Sequence, residues 1–173
     1  MKKVLLSLVC MIVALGASAQ TEKGFRAIVD LGYTISTSDL EIYDGYNTYK
    51  ADISNRFMAT VTGGYQICPE FFVGVGTGIQ YWHQSDDGTI AVPIFADVRY
   101  DMHLDSRWGF FADIRAGYTV NKIDGFYMAP YVGARYALTE KLGLNLGLGY
   151  EMQKVKDVDG SCGGFAIKLG VDF

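Results

Sequence analysis

From Gly24 onward, apolar residues recur at every second position almost without interruption, which is the spacing of a strand with two unlike faces. The first stretch, 24–36, places Phe25, Ala27, Val29, Leu31, Tyr33 and Ile35 on one face, against Arg26, Asp30 and Thr34 on the other. Similar stretches follow at 54–67 (Phe57, Ala59, Val61, Tyr65, Ile67) and at 71–83 (Val73, Val75, Ile79, Tyr81, opposite Gly74, Gly76 and Gly78). The row Ile90, Val92, Ile94, Ala96, Val98, Tyr100, Met102 makes a fourth, although Pro93 within it forfeits a ladder hydrogen bond. Stretches at 108–120, 126–138 and 142–151 continue the pattern. The chain ends on Phe165, Ile167, Leu169, Val171 and Phe173, alternating with Ala166, Lys168, Gly170 and Asp172. No helical periodicity competes with this reading.

Eight strands are therefore predicted, joined by tight turns at 68–70, 103–107 and 139–141 and by a polar loop at 153–162. The longest connection, 37–53, is rich in Asp, Asn and Tyr and is expected to be irregular. An even strand count brings both ends of the sheet to one side and lets it close antiparallel. The predicted fold is all-β: an eight-stranded antiparallel up-and-down barrel.

Aromatic residues bracket most of the apolar rows: Phe25 and Tyr33, Phe57 and Tyr65, Phe71 and Tyr81, Phe110 and Tyr118, Phe126 and Tyr136, Phe165 and Phe173. Separations of eight or ten residues at roughly 3.3 Å each, tilted by about 40°, span about 20–25 Å, the height of a transmembrane apolar band between two aromatic girdles. The opposite face collects Arg26, Asp30, Arg56, Asp97, Arg99, Asp101, Asp113, Arg115, Arg135, Glu151, Lys168 and Asp172, six charges of each sign. A soluble barrel of lipocalin type would have to line its ligand cavity with them. In a membrane barrel they point into the lumen, where opposite charges pair and lipid never meets them.

Composition narrows the setting. The 173 residues are one domain's worth, with 12 tyrosines, 21 glycines and three prolines. A mean hydropathy of +0.14 is too low for a helical membrane protein. Residues 1–19 read as a signal peptide, with Lys2 and Lys3, an apolar core from Val4 to Leu15, and Ala17-Ser18-Ala19 before Gln20, so that 20–173 is the barrel domain. Taking Lys2 and Lys3 from the 15 basic residues leaves 13 against 19 acidic, a net charge of −6, which argues against a nucleic-acid partner. Of the cysteines outside the signal, Cys68 and Cys162 fall at opposite ends of the barrel, and no disulfide between them is expected.

The C-terminal strand, an unbroken apolar row from Phe165 to a final Phe173, resembles that of bacterial outer-membrane β-barrels, and the chain as a whole resembles the small eight-stranded members, the OmpX-like barrels and the transmembrane domain of OmpA. The resemblance rests on pattern over 20–173, not on a sharp motif. It implies an integral outer-membrane protein, a monomer, in contact with outer-membrane lipid and lipopolysaccharide. It also implies that Phe165, Ile167, Leu169, Val171 and Phe173 are the signal read by the barrel-insertion machinery; with no peptidoglycan-binding domain after Phe173, the two-domain OmpA architecture is not expected. In such barrels short turns face the periplasm and longer loops face outside.

An eight-stranded barrel is just wide enough for side chains to fill it, so paired lumenal charges predict an occluded lumen, with Asp97, Arg99, Asp113 and Arg115 as a core set on adjacent strands. A narrow porin-like channel is the alternative. Loop 37–53, with Tyr43, Tyr46 and Tyr49 among Asp39, Glu41, Asp44, Lys50 and Asp52, has the composition of a protein-contact surface and makes an adhesin a second alternative. The remote alternative is a lipid A-modifying enzyme, because one outer-membrane deacylase uses a His-X-Ser element and His83-Gln84-Ser85 has that spacing. Here the element lies early in the chain, and no acid is evidently placed to orient His83. His83 and His103 fall at opposite rims and cannot share a metal. No enzymatic activity, cofactor or metal site is predicted.

Overall fold

The computed structural model describes residues 23–37, 40–43, 48–51, 55–83, 88–121, 123–154 and 161–173. The proposed signal peptide and part of the loops therefore lie outside the described residues. Among the described residues there are ten strands: β1 (Gly24–Ser36), β2 (Leu40–Tyr43), β3 (Thr48–Ala51), β4 (Arg56–Cys68), β5 (Phe71–Trp82), β6 (Thr89–His103), β7 (Trp108–Asn121), β8 (Gly125–Ala137), β9 (Gly143–Lys154) and β10 (Ser161–Asp172). Eight of them form a closed barrel in the order β1-β10-β9-β8-β7-β6-β5-β4, every neighbour antiparallel. Strands of 12 to 15 residues are long enough to cross a hydrocarbon core at the usual tilt.

The expected irregular loop is the point of difference. Within 37–53, Leu40 pairs with Ala51 and Tyr43 with Thr48, so β2 and β3 form a hairpin of their own, a separate two-stranded sheet. The other differences are at strand ends: β9 runs on to Lys154 and β10 starts at Ser161. Pro93 leaves its mark without breaking β6. Its β5 ladder passes from Thr77↔Ile94 to Gln80↔Ala91 in unchanged register, with no partners between, while Thr77 Oγ1 donates to the Pro93 carbonyl at 2.9 Å. At the end of β7, Asn121 takes a left-handed backbone (φ 86°), and its side-chain amide donates to the Ile90 carbonyl at 3.1 Å.

Phe173 takes part in the closing seam. Ala27 and Phe173 exchange both backbone hydrogen bonds, at 2.8 and 2.9 Å, and the register then runs from Ile28↔Asp172 to Ser36↔Gly164. The start of β1, the end of β10 and the turns at 69–70, 104–107 and 138–142 share one end of the barrel; the strand ends joined by the connections at 37–55, 83–88, 122–124 and 155–160 share the other. These are called the short-turn and long-loop ends below.

Burial is inverted relative to a soluble protein. Val75, Phe165 and Val132 are 70%, 65% and 63% exposed, whereas Arg115, Asp97 and Glu151 are fully buried. Cross-strand register gathers the outward aromatics into two belts. Tyr33–Phe57–Tyr81, Tyr118–Phe126 and Tyr150–Phe165 lie toward the long-loop end; Phe25–Tyr65, Phe71–Tyr100 and Trp108–Tyr136 lie toward the short-turn end. A wall of exposed Leu, Ile and Val between two aromatic belts is the outer surface of a transmembrane barrel.

Candidate functional site: the barrel lumen

Because successive side chains alternate faces, all the barrel strands except β5, which has no charged residue, deliver charged residues to the interior. Of the twelve charged residues assigned inward from the sequence, ten are buried: Asp30, Arg56, Asp97, Arg99, Asp101, Asp113, Arg115, Glu151, Lys168 and Asp172. Arg26 and Arg135 are half-buried at the short-turn mouth. They are arranged in three layers.

At the short-turn end a ring of hydrogen bonds and ion pairs crosses the lumen. Arg26 Nη1 donates to Asp101 Oδ2 at 2.5 Å; Arg99 donates from Nε to Asp101 Oδ1 and from Nη2 to Asn145 Oδ1, both at 2.7 Å. Asn145 Nδ2 donates onward to Asp172 Oδ1 at 2.7 Å, and Arg26 Nη2 lies 3.2 Å from Asp172 Oδ2, which closes the circuit. Arg135 clamps Asp172 from outside the ring, through Nε at 3.0 Å and Nη2 at 2.7 Å. Such bidentate, charge-assisted geometry fixes side chains that would otherwise wave in the mouth.

The middle layer is centred on Arg115 of β7. Its Nη2 donates to Asp30 on β1, its Nη1 to Thr60 Oγ1 on β4 at 3.3 Å, and its Nε lies 3.5 Å from Asp97 Oδ2 on β6. One guanidinium thus reaches three other walls. Beside it, Lys168 Nζ of β10 donates to Asp113 Oδ2 at 2.6 Å. The four residues expected to form a core set do not all pair with one another. Register puts Arg99 opposite Asp113, yet Arg99 turns to Asp101 and Asn145, and Asp113 takes Lys168 from across the lumen. Three carboxylates (Asp30, Asp97, Asp113) surround two cations here, and neither Asp97 oxygen accepts a hydrogen bond among the described residues.

The upper layer converges on Glu151. Its Oε2 accepts from Arg56 Nε at 2.8 Å and Thr34 Oγ1 at 2.7 Å; its Oε1 accepts from the Tyr131 hydroxyl and from Tyr127 Oη at 3.4 Å. Above it the Arg56 guanidinium lies 4.6 Å from the Trp82 ring centre, and Trp82 packs with Ala91, Cys162 and Ile123.

Sequence reasoning about charges missed the second component of the lumen, its aromatic rings. Phe72, Phe95, Phe111, Tyr127 and Tyr131 all point inward and are buried. Cations cover them: Arg99 at 3.8 Å from the Phe111 centre, Lys168 at 4.1 Å from Tyr131, Arg115 at 5.2 Å from Phe95. Glycines make room on the wall side. A Cβ at Gly76 would stand 2.5 Å from the Phe95 ring, and one at Gly133 would stand 2.5 Å from that of Phe111. The signal was available in the sequence, since these rings and glycines share the inward parity of the charges.

At the short-turn mouth, a cavity of about 40 Å³ is bounded by Arg26, Asp101, Arg135 and Asp172, room for little more than water. Below the long-loop mouth the lumen is filled by side chains that are fully buried, Arg56, Arg115, Tyr127, Gln80 and Gln153 among them. The remaining sequence candidates lie elsewhere. His83 is exposed at the long-loop end, where its N–H donates to the Asn55 carbonyl at 3.2 Å; Gln84 and Ser85 lie outside the described residues. His103 is at the short-turn end. Cys68 and Cys162 are free thiols at opposite ends. Among the described residues no group of His, Cys, Asp and Glu has the geometry to hold a metal ion. Phe165, Ile167 and Leu169 face outward and exposed, with Val171 and Phe173 half-buried on the same row.

No protein-family model and no curated protein sequence matches the chain. Solved structures do. Neisserial surface protein A superposes with a TM-score of 0.65 at 18% identity, over 86% of this chain and 96% of that one. Outer membrane protein OprG of Pseudomonas aeruginosa gives 0.56 at 12% identity, over 88% and 95% of the two chains. The N-terminal β-barrel domain of Pseudomonas aeruginosa OprF gives 0.52 at 10%, over 88% and 99%. At these identities the likeness concerns the fold, and it agrees with the inverted burial and the two aromatic belts: the chain has the fold of the small eight-stranded outer-membrane β-barrels.

Proposed function

We propose that the protein is an integral outer-membrane barrel whose lumen is closed by its own side chains, and that it serves as a membrane scaffold presenting its long loops at the cell surface. The observation that carries this reading is Arg115, fully buried at mid-lumen, hydrogen-bonded to β1 and β4 and ion-paired with Asp97 on β6. A solute would have to displace it, together with the Lys168–Asp113 pair beside it. In this reading residues 1–19 direct export, the row Phe165 to Phe173 is presented to the insertion machinery, and the barrel works as a monomer bathed in lipid and lipopolysaccharide. The lumenal charges act as staples, without catalysis, metal or cofactor. The short turns face the periplasm, and the β2–β3 hairpin stands outside.

That hairpin favours a second reading. A paired two-stranded sheet, in place of an irregular loop, is a defined surface on which an extracellular protein could dock. Placement is tested by inserting an epitope after residue 45 in one variant and after residue 105 in another. The expected result is recovery of both in the outer-membrane fraction, with protease removing only the first from intact cells. Recovery in the soluble periplasmic fraction, or cleavage of the second epitope alone, would overturn the assignment.

A further inference from the structure

The outer wall is not evenly bulky. Small residues interrupt it in several places, Ala27 beside Gly63 and Ala96 beside Ala116 among them, and over β6 to β9 the register lays the rows Tyr100–Ala112–Val132 and Met102–Phe110–Ala134 side by side. Leu148 and Leu146 close the far side, opposite Val132 and Ala134. Ala112 and Ala134 are thereby the low points of a trough in which Phe110 and Val132 also stand, with walls of Tyr100 and Met102 on one side and Leu146 and Leu148 on the other. The trough is a groove of about 520 Å³, nearly all apolar, and it crosses three interstrand spacings of about 4.8 Å each. That volume falls within the range of small-ligand sites.

Two observations define the occupant. The groove opens on the lipid-facing wall, so hydrocarbon is what reaches it. Its lower end is polar: Met102 and Phe110 also border a notch of about 20 Å³ in the 104–107 turn, lined by His103, Ser106, Arg107 and Trp108. Arg107 is exposed there, and Trp108 packs against Tyr136 with ring centres 4.8 Å apart and planes tilted by 56°, an aromatic pair at headgroup level. The one exposed carboxylate of the notch, Asp105, is turned back onto the Ser106 N–H at 2.6 Å. Hydrocarbon above and a guanidinium beside an aromatic pair below match an acyl chain with its phosphate.

We infer that this groove is a binding site for one glycerophospholipid, its acyl chain on the Ala112–Ala134 floor and its phosphate against Arg107. The leaflet rests on the orientation proposed above, in which the short-turn end is periplasmic; binding itself does not. The test uses the purified mature protein in detergent, incubated with phosphatidylglycerol and examined by native mass spectrometry, with heat-modified gel mobility as the check on folding. The wild type is expected to retain one phosphatidylglycerol. Filling the floor with Ala112→Leu and Ala134→Phe should lower occupancy at least tenfold, Arg107→Gln by about threefold to tenfold, and Leu31→Phe on β1, on the opposite wall, should leave it unchanged. Equal retention by folded wild-type and floor-filled protein would overturn the site, as would no retention by the wild type. Retention of lipopolysaccharide in preference to phosphatidylglycerol would overturn the assignment of the ligand. If the epitope test reverses the orientation while one phosphatidylglycerol is still held through Arg107, the placement fails and the groove stands.

Discussion

Arg115→Met removes the guanidinium at mid-lumen while retaining most of the side-chain volume. In the wild type that group donates to Asp30 and Thr60, lies 3.5 Å from Asp97 and sits over the rings of Phe95 and Tyr131. Its loss leaves Asp30 and Asp97 buried near Asp113, with Lys168, already paired to Asp113, as the remaining cation of that layer. Removing one partner of a buried ion pair costs about 3–5 kcal/mol, mostly the penalty of the stranded charge, and that is the destabilisation expected here. If stranding is the cause, removing the carboxylate as well should restore much of it: Arg115→Met with Asp30→Asn should cost less than Arg115→Met alone by about 1–3 kcal/mol. The assay is reversible unfolding in denaturant with the protein in phospholipid vesicles, read by tryptophan fluorescence and gel mobility, with slopes compared to confirm that the same surface is exposed. A loss below about 1 kcal/mol for Arg115→Met, or a double variant whose cost is the plain sum of the singles, would refute the reasoning.

Other perturbations separate the three layers. Glu151→Gln weakens a hub that accepts from Thr34, Arg56, Tyr127 and Tyr131 and is expected to cost about 2–4 kcal/mol, whereas Asp97→Asn, whose oxygens accept no hydrogen bond among the described residues, should stay within about 1 kcal/mol of wild type in the same vesicle assay. Gly76→Ala drives a methyl into the Phe95 ring and Thr62 hydroxyl, costing about 1–3 kcal/mol, and Phe95→Leu in the same chain should recover part of it. Ile94→Arg, at an exposed position midway along β6, should cost about 2–4 kcal/mol if that face meets lipid, and nearly nothing if it meets water. Deleting residues 40–51 removes a sheet separate from the barrel, and unfolding should stay within about 1 kcal/mol of wild type.

The barrel was legible because period two assigns a face to every side chain once a strand is recognised. Gly24–Ser36 reads directly from its row of alternate apolar residues, and Arg99 and Arg115 inherit the inward face from Val98 and Ile114 beside them. Pairing within the lumen was not legible. Arg115 and Asp30 are 85 residues apart, and Lys168 and Asp113 are 55 apart. What joins them is barrel curvature, which brings opposite walls within reach, so reasoning from adjacent strands sends Arg99 to Asp113 when it in fact serves Asp101 and Asn145. The lumenal rings were hidden for another reason: attention to apolar rows assigns aromatics outward, although Phe72, Phe95 and Phe111 occupy the charged parity. The β2–β3 hairpin was obscured by the polar density of its loop, despite an Asp44-Gly45 turn signal between two short alternating stretches.

Lumen closure is tested most directly by single-channel recording of the mature protein refolded into a planar bilayer, with insertion confirmed by protease protection. The wild type should be electrically silent, and Arg115→Ala, which empties the mid-lumen, should introduce openings. Stable, salt-dependent conductance from inserted wild-type protein would contradict a lumen sealed by Arg115 and its partners.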